Sequence, residues 1–76
     1  MTFKAWLVSQ TKRVDPVGDL ARDVRRDPTW PPTQDMMRLR HHMRKRGAAE
    51  SALAALAQAY GEYQKRGNRQ RPFDIG

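Results

Sequence analysis

The chain has 76 residues and a mass of 8.8 kDa, which is one small domain, since domains run ~100–150 residues and single cores become marginal near ~60. An apolar share of 38% with a mean hydropathy of −0.92 suffices for a compact helical core but not for a deep catalytic cleft walled on every side. Fifteen Lys and Arg against eight Asp and Glu leave a net charge of +7, and the absence of cysteine excludes disulfides, thiolate nucleophiles and cysteine-based metal centres.

Four helices are predicted, with no β-branched alternation long enough to argue a strand. In the first, Thr2 is placed to cap, and Phe3, Trp6, Leu7 and Gln10 recur at helical spacing. The mixed polarity of Met1–Gln10 does not match a signal peptide, and no apolar run approaches the ~18–20 residues of a membrane span, so the expected location is cytoplasmic. The second helix opens at Asp15-Pro16, a capping carboxylate followed by proline at the first helical position. Val17, Leu20, Ala21 and Val24 mark its buried stripe, and Gly18 is read as a point of close approach for an aromatic ring. Asp27-Pro28 ends it.

Three prolines frame Trp30 in the loop that follows, with Trp30 expected to fold back onto the core. The third helix is predicted to begin at Thr33, to turn Met36, Leu39 and Met43 inward and to end at Gly47. The fourth carries Ala49, Leu53, Leu56, Tyr60 and Tyr63 along one seam and closes at Gly67. The resulting division is a helical domain over residues 1–66 and a basic flexible tail over 67–76. The expected core is Phe3, Trp6, Leu7, Val17, Leu20, Val24, Trp30, Leu39, Met43, Leu53, Leu56 and Tyr60.

Phe3-x-x-Trp6-Leu7, the run Arg13-x-Asp15-Pro16-Val17-Gly18-Asp19-Leu20-Ala21-Arg22-Asp23, then Asp27 and Pro31, with Ala59-Tyr60 and Tyr63 in the last helix, resemble the YozE-like proteins. The resemblance spans roughly residues 3–63 and implies an all-α, compact four-helix SAM-like bundle in a small bacterial protein. SAM-like folds serve protein or nucleic-acid contacts, and fold alone does not choose between them. The third helix departs from the mixed or acidic character expected of the family.

That third helix holds the strongest functional signal. From Arg38 to Arg46 there are five full positive charges and no acid. Helical spacing sets Met37, Arg38, His41, Arg44 and Lys45 opposite the apolar side, with Arg40 and His42 at the boundary. Unpaired like charges at i,i+3 and i,i+4 repel one another, so an external anion is the expected partner, and guanidinium groups match phosphate. The expected function is electrostatic, non-sequence-specific binding of nucleic acid, DNA or RNA, through Arg38, Arg40, His41, Arg44, Lys45 and Arg46. Arg69 and Arg71, with Lys65 and Arg66, are read as a flexible basic arm.

The alternative is a protein-interaction or self-association module, with an acidic protein partner or a contact through Trp30 and Met37. A plain solvated face is the unremarkable reading of the same charges. Adjacent His41 and His42 lie 100° apart and do not share an ion, so neither metal nor cofactor is expected. Asp15, Asp19, Asp23 and Asp27 are better read as caps and charge partners than as paired catalytic carboxylates. Ser9 and Ser51 lack a base, and no enzymatic activity, small-molecule substrate or membrane partner is expected.

Overall fold

A computed structural model describes residues 1–68, which form α1 (Phe3–Val8), α2 (Pro16–Arg26), α3 (Met36–Lys45) and α4 (Glu50–Asn68), with no strand among the described residues. Thr2 caps α1 by accepting the Ala5 N–H at 3.1 Å, and Asp15 caps α2 by accepting the Gly18 N–H at 2.9 Å. Both caps satisfy N–H groups that a helix start leaves without partners.

The linker between α1 and α2 is held by two arginines. The Arg13 guanidinium reaches Asp15 Oδ2 at 2.7 Å and Glu62 Oε1 of α4 at 2.7 Å, joining the start of α2 to the far helix. Arg22 donates to the carbonyl oxygens of Thr11 at 2.6 Å and Arg13 at 3.1 Å. Gly18 lies against that same Arg13 carbonyl: a Cβ at position 18 would sit 2.0 Å from its oxygen. The close approach at Gly18 is therefore to backbone rather than to an aromatic ring. The Arg13–Asp23 run that carries the family resemblance is a device for seating this linker.

α3 starts at Met36, about one turn later than Thr33. Thr33 Oγ1 instead accepts the Asp35 N–H at 3.0 Å in the turn before the helix, and Asp35 accepts the Met37 N–H at 2.9 Å as the actual cap. Gly47 ends α3 as expected, at φ 80°, a left-handed conformation that glycine adopts without a Cβ clash. Its N–H bonds the Arg44 carbonyl, and the Ala48 N–H bonds that of Met43, the paired bonds of a Schellman motif. α4 continues through Gly67 to Asn68, because glycine inside a helix costs only about 1 kcal/mol unless it turns left-handed. Lys65 and Arg66 therefore belong to the last turns of α4 rather than to an arm. Arg69, Arg71 and most of the expected tail lie outside the described residues.

α2 packs on α4 and α1, α1 packs on α4, and α3 packs on α4. Eleven of the twelve expected core side chains are buried, and Tyr60 is half-buried. Ala21, Ala55 and Ala59 join the core, since small side chains let α2 and α4 approach closely. Phe3 is fully buried and meets Tyr60 and Tyr63 edge-on at 5.2 and 5.5 Å, favourable geometries for aromatic quadrupoles. Gln34 Oε1 accepts the Phe3 N–H at 2.9 Å and lies 3.2 Å from the Tyr63 hydroxyl, pinning the proline loop across α1 and α4.

Gly18→Ala is expected to destabilise the fold by about 3 kcal/mol, lowering the thermal midpoint on the order of 15 °C. Gly61→Ala, where a Cβ meets nothing within 4 Å, is expected to stabilise it by about 0.5–1 kcal/mol. Circular dichroism melts of the two variants check both signs.

Candidate nucleic-acid interface

Leu39 and Met43 are the buried residues of α3, four apart on one stripe, and they turn the remaining arc of the helix outward. Because α3 leans on α4 alone among the helices, its orientation depends on polar contacts from the end of α2. These come from Asp27, whose side chain is only 8% exposed. Its Oδ2 lies 2.9 Å from His42 Nε2, and its Oδ1 accepts the Thr29 N–H at 2.8 Å and the Thr29 hydroxyl at 2.6 Å. Arg46 adds a contact at 3.5 Å to Asp27 and another at 3.3 Å to Thr29 Oγ1. The hydrogen bond with His42, followed by those from Thr29, holds the Asp27 carboxyl well below the usual carboxylate range. Trp30 packs edge-on against the His42 ring at 5.6 Å, so one carboxylate and one indole together lock the inner side of α3.

The basic run accordingly divides into two groups. Arg40, His41, Arg44 and Lys45 are exposed, and Arg40, Arg44 and Lys45 have no carboxylate partner among the described residues. Arg38 is also exposed, although its Nε lies 3.8 Å from Asp35, the cap of its own helix. Arg46 is not a free cation of this face. The chain reversal at Asp27 brings that acid beside it from 19 positions earlier, which an acid-free stretch of sequence does not reveal. Met37 stands 71% exposed beside the cations. Trp30, the other contact candidate, is 6% exposed, because the proline loop folds its ring into the core as expected.

The His42–Asp27 pair borders a groove of about 370 Å3 between the ends of α2 and α3 and the start of α4, also lined by Val24, Met43 and Ala48. A His–Asp pair is part of the machinery of nucleophilic catalysis, but no serine, threonine or cysteine lines this groove. Among the described residues there is no cluster of three metal-ligating side chains. The electrostatic face of α3 is what the arrangement offers. The Asp27 network escaped sequence reasoning because its partners are 15 and 19 residues away; the one available signal was an aspartate standing before Pro28, where capping alone explains it.

Asp27→Asn is expected to cost about 1–3 kcal/mol at neutral pH, by weakening hydrogen bonds to a mostly buried carboxylate. Since the native carboxyl ionises below its ordinary value, its contribution is present above about pH 4 and is lost as the pH falls below that. The variant should therefore lose part of the acid-induced destabilisation below pH 4, measured by urea unfolding across pH 2–7.

No helix among the described residues is long and apolar enough to cross a membrane. No curated relative and no solved structure matches the chain. The family model described as YozE SAM-like fold matches residues 2–65, which covers all four helices but the last turn of α4. With the four-helix order and this match over most of its length, the chain belongs to the YozE SAM-like fold family.

Proposed function

We propose that this protein is a non-enzymatic binding module that holds nucleic acid through the exposed face of α3, in the cytoplasm of a bacterial cell. The observation that carries the reading is the set of free cations at Arg40, Arg44 and Lys45. Other arginines are matched by acids: Arg13 with Asp15 and Glu62, Arg22 with Asp19, Arg46 with Asp27. Of the arginines and the lysine of α3 only Arg38 has an acid nearby, and that ion pair is long and exposed. Cations in the last turn of a helix do stabilise its carbonyl end, which accounts for Arg44 and Lys45 but not for Arg40 in the middle of the helix. Binding set by phosphate contacts, with Arg38 and His41 at the margin, follows from this distribution and requires no base readout.

A second reading rests on Met37. An exposed thioether among cations fits an acidic protein surface, with the methionine as its apolar contact.

Anisotropy of labelled duplex DNA and single-stranded RNA, measured at several salt concentrations, separates the two. If three phosphates are engaged, the log–log salt slope on duplex is about −2.7. An Arg40→Glu/Arg44→Glu/Lys45→Glu variant with an unchanged melting temperature should lose that slope. Absence of binding by the wild type at low salt sinks the nucleic-acid reading and leaves the acidic protein partner.

A further inference from the structure

Away from α3, the α1–α2 corner holds a second cavity, of about 440 Å3, lined by Thr11, Lys12, Arg22, Arg25 and Arg26. Four of its five lining side chains are cationic, and none is acidic. Helical spacing accounts for three of them, because positions 22, 25 and 26 stand at i, i+3 and i+4 on one face of α2. That face is displaced from the buried stripe of Val17, Leu20, Ala21 and Val24. Tertiary structure adds the fourth. By donating to the Thr11 and Arg13 carbonyls, Arg22 draws the linker onto this face and sets Lys12 over it.

The four cations are not equivalent. Arg22 is engaged on both sides, with the linker carbonyls through one terminal nitrogen and with Asp19 through the other. It forms a fixed wall. Lys12, Arg25 and Arg26 are exposed and have neither a hydrogen-bond acceptor nor a carboxylate partner among the described residues. Asp23 and Asp27 lie toward the neighbouring groove, on the other side of Arg26, and do not line this cavity. Compensation of the α2 carbonyl end explains Arg25 and Arg26 in its last turn, but it does not explain why the linker brings a lysine to the same place.

We infer that this corner cavity is a phosphate-binding site, in which the Lys12 ammonium and the Arg25 and Arg26 guanidinium groups close around a multiply charged phosphoryl anion against the fixed Arg22. Three free cations match a terminal or condensed phosphate better than a singly charged phosphodiester, and guanidinium forks suit its oxygens. The site stands on its own geometry, separate from α3, so either assignment can fail while the other holds.

The test is a 15N–1H NMR titration of the whole chain with pyrophosphate at constant ionic strength, with chloride as control. A second arm uses a duplex oligonucleotide without terminal phosphates. With pyrophosphate, saturable shifts confined to residues 11–13 and 22–27 are expected; with the duplex, only shifts at these same residues bear on the corner, whatever α3 does. Response of the corner residues to pyrophosphate alone identifies a terminal or condensed phosphate as the source, and their response to the duplex identifies the backbone. Arg25→Gln/Arg26→Gln, and separately Lys12→Gln, should weaken binding about tenfold or more. Arg40→Gln/Arg44→Gln should leave pyrophosphate affinity within about twofold of wild type, the spread of a neutral surface change. Linear shifts spread over all basic residues, or equal losses in the α3 variant, would overturn the assignment. All of these substitutions are at exposed positions, and melting curves verify that the fold is retained.

Discussion

The carbonyl oxygen of Arg13 occupies the space that any side chain at position 18 would need. It is held there by a donor from Arg22, while the guanidinium of the same Arg13 ties Asp15 at the start of α2 to Glu62 on α4. Two helices, α2 and α4, are thus referred to one residue of the linker that follows α1. With Gly18 as the permissive position, α2 reaches α1 and α4 closely enough for Val17, Ala21 and Ala59 to pack with no exposed area. The aromatic group of Phe3, Trp6, Tyr60 and Tyr63 packs α1 against α4.

α3 lies outside this arrangement. It rests on α4 through two buried side chains and is oriented by Asp27, the residue at which α2 ends. The consequence is electrostatic. Asp15, Asp27, Asp35 and Glu62 serve the linker, the caps and the orientation of α3, and positive charge they do not cancel stands on the outer arc of α3 and on the far face of α2. Net charge describes attraction to polyanions in general. The partition of charge between internal pairs and open faces decides where a polyanion can be held.

Much of the fold was legible from particular residues. The stripe of Val17, Leu20 and Val24, the Asp15-Pro16 start and the Gly47 stop each act within a few positions along the chain, where helical geometry relates spacing to direction. Where expectation and structure part, a local signal had a local competitor. Thr33 and Asp35 both offered a cap, and hydrogen bonding placed Thr33 in the turn before the helix. Gly67 carried a stop signal that its helix passes through. Of the candidate site, Arg38, His41, Arg44 and Lys45 were legible as an outward face and Trp30 as part of the core, whereas Arg40 was placed at the boundary and Arg46 was not legible as a partner of Asp27.

The sequence by itself determined the four helices, their buried stripes and the excess of positive charge, because each depends on composition or on spacings shorter than two helical turns. Only the tertiary structure decided which cations remain free. An ion pair depends on the distance between side chains, and the pairs Arg13–Glu62 and Arg46–Asp27 join positions 49 and 19 residues apart. The same holds for Lys12: nothing in its neighbours along the chain sets it beside Arg25 and Arg26, and the Arg22 bonds to the linker do.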